Sequence, residues 1–344
     1  MDVLLLGAYR FLGRAVIDAA LDAGDRVTAF NRGNHPAPPG VESITGDRRD
    51  PSPLAGRRWD VVVDTSGQVP AQVAASAQLL AGAAGHYTFL SSLSVYREPL
   101  APWFDETAPL AEMPPDVDPD DAEHVATYGP RKAKCEAAAE AAFPGRTLQV
   151  RAGFIVGPHD VSDRFLSWFD RLRRGMPAIV PGDAETPVQI VDVADLAAWI
   201  LGGARRNLAG AFNATGPAQP YALIDVVRAA ADAVGSRSRL VCVPSDVLLA
   251  AGVEPWTELP YWLDPPDRAL MQAGVGKALA SGLTLRRLRE TCAAIAAWSA
   301  TATHERRIAL DPRKEADAIA AYERDAAAAP FASGARASCH DVTD

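Results

Sequence analysis

The chain of 344 residues reads as an α/β protein built on a doubly wound parallel sheet. Three observations predict it. Short continuous apolar runs alternate with segments of helical spacing, the rhythm of parallel βαβ units. The first run, residues 3–6, leads straight into a turn bounded by Gly7 and Gly13. A later run, FLSSLSVY (89–96), places hydroxyls at a strand end, where open α/β sheets bind their ligands.

Taken in order, residues 3–6 form a strand buried on both faces, and residues 14–23 have helical spacing closed by Gly24. RVTAF (26–30) and DVVVD (60–64) are strands of the same kind, and a helix follows Pro70. HYTFLSS (86–92) is a strand, the alanine-rich residues 132–142 a helix, and TLQVRAGFIVG (147–157) a strand. Beyond Gly157 segments rich in Pro, Trp and Arg alternate with helices such as 193–202, and AFNATG (211–216) adds a strand with its turn. The pattern assigns residues 1–155 to the sheet domain, with 187–214 returning to it. Residues 156–186 and 215–326 form a smaller interleaved lobe, MPPDVDPDD (113–121) is a solvated loop, and residues 327–344 are a flexible tail.

Composition narrows the partners. Hydrophobic residues at 48% and charged residues at 22% fit a soluble globular protein. A net charge of −9 repels phosphate backbones, so no nucleic-acid partner is expected. No leader segment opens the chain and no run of roughly 18 apolar residues occurs, so no membrane partner is expected. Cys135, Cys242, Cys292 and Cys339 lie far apart, which argues against a zinc site or a disulfide framework and points to a reducing, cytoplasmic setting. The scattered histidines offer no metal-ligand spacing.

In a dinucleotide-binding βαβ unit, small residues let the backbone approach a pyrophosphate, and the N–H groups of the next helix attract it. Gly7 and Gly13 fit that use, with Tyr9, Arg10, Phe11 and Leu12 between them; the simpler reading is two glycines that only reverse the chain. After the second strand come Asn31, Arg32 and Gly33. A ribose with free hydroxyls is gripped at this point by Asp or Glu, whereas a 2′-phosphate needs cations. Arg32, with Arg10 from the neighbouring turn, therefore favours NADP(H) over NAD; Arg10 lying over the pyrophosphate or adenine is the competing reading. In GDRRD (46–50), Asp47 is placed to accept from an adenine amino group, with Arg48 beside it on the cofactor side, unless the segment is a simple turn. Thr65 and Gly67 in TSGQ let the adenosine pass closely.

Tyr128 and Lys132 form Y-x-x-x-K on one helical face, where an ammonium can hold down a phenol's pKa and bond to a ribose hydroxyl. Ser92 is the candidate to orient the reacting oxygen; Ser91, on the cofactor side, and Ser94, on the substrate side, compete with it.

With these motifs the chain resembles the extended short-chain dehydrogenase/reductases, the group related to NAD-dependent epimerase/dehydratases, over nearly its whole length. The matching pieces are LLLGAYRFLG, FNRGNHP, GDRRD, FLSSLSVY, YGPRK, RAGFIVGP (151–158), PVQIVDVADLAAWI (187–200) and FNATG (212–216). The resemblance implies a Rossmann sheet, Ser92, Tyr128 and Lys132 as catalytic residues, and Gly7 and Gly13 as the outer fingerprint glycines. It also implies Asp47 at the adenine and Gly153, Phe154 and Ile155 beside the nicotinamide. Arg10 in place of the middle glycine, and Leu6 where a threonine is common, resemble an outlying reductase subgroup.

The resemblance further implies a cap over the nicotinamide built after Gly157. Arg164, Trp168, Gln189, Trp256 and Trp262 are its candidate substrate contacts, with Trp256, Tyr261 and Trp262 lining a cavity for a flat or apolar molecule. Packing anchors are the competing reading for the tryptophans, and a charged outer helix face for Arg164, Arg171, Arg173 and Arg174. The expected function is an NADP(H)-dependent oxidoreductase acting on a carbonyl or secondary alcohol of a small molecule. The alternatives are a nucleotide-sugar epimerase/dehydratase with tightly bound NAD, and a non-catalytic nucleotide-sensing or RNA-associated protein. The expected partners are the small-molecule substrate and, at most, a second copy of the chain in a homodimer.

Overall fold

Seven runs of alternating or continuous apolar residues pair into one parallel sheet: β1 (Asp2–Leu6), β2 (Arg26–Asn31), β3 (Val41–Thr45), β4 (Trp59–Asp64), β5 (Ala84–Ser92), β6 (Thr147–Ala152) and β7 (Gly210–Ala214). Their order across the sheet is β7-β6-β5-β4-β1-β2-β3. The chain steps outward from β1 to β3 and then returns to β4 on the other side of β1, so the order reverses there. The carboxyl ends of β1 and β4 flank this switch point, the place where such sheets take their ligands.

The computed structural model describes residues 1–182, 185–263, 265–302 and 310–328, and in it the chain divides into two units. Residues 1–155, 190–218 and 273–285 form the first, which holds the sheet. Because side chains alternate along a strand, each strand feeds two cores. Val3, Leu5, Val61, Val63 and Val150 pack with Val16 and Ile17 of α1 (Phe11–Asp22) and with Leu196 and Ile200 of α4 (Val193–Arg205). Leu4, Leu6, Val62, Tyr87 and Phe89 pack with Val73 and Leu80 of α2 (Pro70–Leu80) and with Cys135, Ala139 and Phe143 of α3 (Tyr128–Ala142). The fold is Rossmann-like, as the strand rhythm predicts.

Several details differ from the sequence reading. α1 opens at Phe11 and α3 at Tyr128, each several residues before the periodicity announces it. β3 is polar and largely exposed because it is the sheet edge, so its apolar signal is weak. The predicted strand 147–157 breaks at Gly153 into β6 and a short strand, Phe154–Val156; a Cβ on Gly153 would lie 2.5 Å from Thr215 Oγ1. Residues 273–285, read as part of the lobe, stand in the first unit: Ala278 and Leu283 enter the α1–α4 core, and Lys277 Nζ donates to the Ala211 carbonyl at 2.6 Å.

The second unit comprises residues 156–189, 219–272 and those from 286 onward. In it strand Ala178–Pro181 pairs in parallel with Leu240–Val243, beside helices Arg164–Arg173, Leu223–Ala233, Leu288–Ser299 and Pro312–Ala328. A buried ion pair joins Arg171 to Glu315, which also accepts from the Ile179 N–H at 2.9 Å. Of the tail expected at 327–344, residues 329–344 lie outside the described residues. Cys135 and Cys292 are free and buried. Among the described residues no helix is long and apolar enough to cross a membrane.

Candidate active site

The turn after β1 is built around the absence of side chains. Gly7 has φ +89°, and a Cβ there would lie 2.4 Å from Ser66 Cβ; only glycine meets both conditions. A Cβ on Gly13 would lie 2.4 Å from the Gly7 carbonyl, so α1 rests directly on the turn. Leu12 is buried in the core, whereas Arg10 is exposed and extended. Tyr9 (φ 73°) and Phe11 (φ 35°) adopt left-handed backbone angles, which cost energy for side-chain-bearing residues and cluster at ligand sites. No side chain caps α1 and no acidic residue stands in its first turn, an arrangement that suits an anion. Thr65, following β4, braces the turn by donating from Oγ1 to the Gly7 carbonyl at 2.7 Å.

At the end of β2, Asn31 Oδ1 accepts from the Gly33 N–H at 2.8 Å, and its Nδ2 is buried without a partner. Arg32 is exposed. Asp47 is engaged by Arg49, which donates from Nε at 3.0 Å and Nη2 at 2.9 Å. Hydrogen bonds from the Arg49 side chain and backbone hold its carboxyl well below the usual carboxylate range. Arg49 is a partner the sequence reading missed, and its only signal was the second arginine of GDRRD.

Arg48 requires correction as a cofactor contact. Its guanidinium points inward, forming a two-pronged pair with Asp64 and reaching Ser66 Oγ at 3.1 Å and Ser76 Oγ at 3.3 Å. Asp64 is fully buried and also accepts from Tyr87 Oη at 2.8 Å. Burial opposes its ionisation, but Arg48 outweighs this and keeps the carboxyl below its ordinary pKa.

Ser92 ends β5, with Oγ accepting from the Ser94 N–H and donating to Ser94 Oγ, both at 3.1 Å. Tyr128 opens α3, and Ser92 is near enough to its phenol to draw the phenol's pKa down. Burial raises the phenol's pKa and outweighs Ser92 and the charge of Arg131, so the expected acidification is absent. The Lys132 ammonium is engaged elsewhere: it donates to the Gly67 carbonyl at 2.7 Å and to the Leu90 carbonyl, 4.2 Å above the Phe89 ring. Burial brings its own pKa down to about 8. Gly67 permits this approach: a Cβ there would lie 2.4 Å from Phe89. Ser91 Oγ is buried without a partner.

Two further features position this helix and were not singled out from the sequence. A Cβ on Gly129 would lie 2.0 Å from the Ser94 carbonyl, so glycine is what lets Tyr128 reach the serine loop. Arg151 of β6 pairs with Glu136 of α3 at 2.8 Å and donates to Tyr96 Oη at 2.9 Å, while Tyr96 donates to Asn213 Oδ1 at 2.6 Å. All four side chains are buried.

The candidates of the second unit have placements of their own. Trp168 and Trp262 are each 1% exposed, with their indole N–H groups on the Pro260 carbonyl and on Ser245 Oγ. They are packing anchors, which corrects their assignment as substrate contacts. Arg164 lies over the Trp256 ring at 4.9 Å, and Gln189 is buried.

No family model matches the chain. The curated chloroplast stem-loop binding protein of 41 kDa b from Arabidopsis thaliana is 27% identical over 220 residues, 58% of this chain and 54% of that protein. The match thus spans about half the length of that relative. Among solved structures, UDP-glucuronic acid 4-epimerase from Bacillus cereus in complex with NAD aligns with a TM-score of 0.62 and 16% identity, over 87% of this chain and 96% of that one. The epimerase Mth375 from Methanothermobacter thermautotrophicus gives 0.65 and 14%, over 87% and 92%. UDP-glucose 4-epimerase from Thermus thermophilus in complex with NAD gives 0.60 and 17%, over 88% and 100%. At these identities the similarity is one of fold.

Proposed function

We propose that this protein is a nicotinamide-dinucleotide-dependent enzyme of the extended short-chain dehydrogenase/reductase type, acting at a hydroxyl-bearing carbon of a nucleotide sugar with NAD retained. The observation that carries the reading is the placing of the buried Tyr128 phenol beside Ser92 at the carboxyl end of β5, with Lys132 one helical turn beyond Tyr128.

The residues present fit a dinucleotide. Gly7 and Gly13 leave a cradle that a Cβ would fill, α1 is uncapped, and Asn31 Nδ2, Tyr9 Oη and Ser91 Oγ are buried and unpartnered. The turn and the first turn of α1 would hold the pyrophosphate, Asn31 and Arg32 the adenosine ribose, and Gly153, Phe154 and Ile155 the edge of the nicotinamide. When bound, the cofactor supplies the hydride acceptor and donor. Tyr128 moves the proton at Oη, and Ser92 Oγ orients the substrate oxygen. Lys132 spends two of its three N–H groups on carbonyls, which leaves one for a ribose hydroxyl.

Nucleotide sugar and NAD are preferred because the solved structures with this fold include UDP-sugar epimerases described with NAD. A second reading, an NADPH-dependent reductase, is favoured by Asn31 and exposed Arg32 where a carboxylate would grip a free ribose diol. The non-catalytic, RNA-associated reading has beside it only a curated relative named for stem-loop binding, and is opposed by the net charge of −9.

Mass spectrometry of the small molecules released from the purified protein separates the first two. Bound NAD, together with sugar epimerisation followed by NMR, supports the first; NADPH consumption without bound NAD supports the second. In either case Tyr128→Phe lowers turnover by about 100- to 10,000-fold with an unchanged circular dichroism spectrum. A protein that neither carries nor binds any nicotinamide dinucleotide overturns both.

A further inference from the structure

We infer that Arg48 and Asp64 are a positioning pair that fixes the Lys132 ammonium and the Gly7 turn through the three residues that follow Asp64, namely Thr65, Ser66 and Gly67. The inference rests on the functional reading above for its catalytic meaning, but not for its geometry.

The pair is deeply placed: the Arg48 side chain is 14% exposed and that of Asp64 is 0% exposed. Arg48 uses both Nη atoms on the two carboxylate oxygens and on Ser66 and Ser76. The remaining capacity of Asp64 goes to the Ser66 N–H at 3.1 Å and to Tyr87 Oη at 2.8 Å. A buried ion pair adds little stability over apolar residues of the same volume, so stability alone does not explain a charge pair at the carboxyl end of β4. Its surroundings do. Thr65 Oγ1 donates to the Gly7 carbonyl, Ser66 fills the space a Gly7 Cβ would need, and the Gly67 carbonyl accepts from Lys132 Nζ. A Cβ on Gly67 would lie 3.0 Å from Asp64 Oδ2, so the segment is pressed onto the pair. One carboxylate thereby sets both the turn proposed for the pyrophosphate and the amine proposed for the ribose.

The charged and titratable groups acting on Lys132 are Asp64 and Arg48 from across the sheet edge, and Cys135 and Glu136 from its own helix. Arg48 depresses the amine and Asp64 raises it. The two members of the pair therefore have opposite signatures. Lys132 is one of four lysines in the chain, so selective 13C labelling resolves its side-chain NMR signal, with Lys132→Met giving the assignment.

The test is the titration midpoint of that signal, which requires neither a dinucleotide nor turnover and so stands apart from the functional reading. Arg48→Met moves the midpoint up and Asp64→Asn moves it down, each by about one unit. A merely structural role would loosen the fold and move both upward, toward an ordinary lysine near about 10.4. Unmoved midpoints, or two shifts of the same sign, overturn the inference. Should these variants fail to fold, Arg48→Lys decides it, because it keeps the charge and loses the planar fork. The midpoint then stays within about half a unit while hydrogen exchange at the Ser66 and Gly67 amides rises about tenfold or more. Unchanged exchange in Arg48→Lys overturns the inference.

Discussion

At the scale of single residues, the site is governed by what burial does to Lys132. Its amine is held near 8 against an ordinary value of 10.5 because the ammonium is desolvated. In the unfolded chain the same amine keeps its proton to higher pH, so between about pH 8 and 10.5 the unfolded state binds more protons than the native one. Stability therefore gains from this group as pH rises through that window, and below it the cost of burying the charged form is fully present. Urea unfolding of wild type and Lys132→Met from pH 7 to 10.5 checks this: the difference between the two proteins shifts in favour of wild type as pH rises. A difference independent of pH would show that the amine titrates normally in the native protein. The residue identities at this site were legible, since Y-x-x-x-K and the serine run are local patterns. The engagement of Arg48 with Asp64, sixteen positions away, was not, because no local spacing links a loop arginine to the end of the next strand.

At the scale of elements, the placement of α3 against the serine loop depends on Gly129. A methyl group would meet the Ser94 carbonyl at 2.0 Å, a backbone atom that cannot swing aside. Gly129→Ala should destabilise by about 1–3 kcal/mol. It should lower kcat/KM by about a hundredfold, the effect of moving catalytic groups by an ångström. Gly82→Ala is the matched control, because a Cβ there meets nothing within 4 Å and neither stability nor rate should change. Equal behaviour of the two variants in thermal unfolding and steady-state assays would contradict the packing argument. The element boundaries that sequence reading misplaced have the same origin: α1 and α3 begin where close backbone contact permits them, several residues before their apolar periodicity starts.

At the scale of the molecule, the first unit is locked by buried polar connections as well as by its two cores. Arg151, Glu136, Tyr96 and Asn213 join β6, α3, the segment after β5 and β7 in one network. Arg151→Met leaves the Glu136 carboxylate buried and unpaired, at a cost of about 3–5 kcal/mol in urea unfolding. Adding Glu136→Leu should recover most of that stability, since removing both charges is far less costly than removing one. A double variant no more stable than the single one would show that the pair is not the source of the loss.

By itself the sequence determined the sheet, its helices and the candidate residues of the site, because period, turn glycines and a four-residue spacing are all encoded within a few neighbouring positions. Only the tertiary structure decided how those groups are held. It turned Arg48 inward, gave Asp47 to Arg49, anchored Trp168 and Trp262 in packing and returned residues 273–285 to the first unit. The physical reason is that an ion pair or a buried ring is satisfied by whichever partner the folded chain brings within reach, and that partner is set by topology rather than by distance along the sequence.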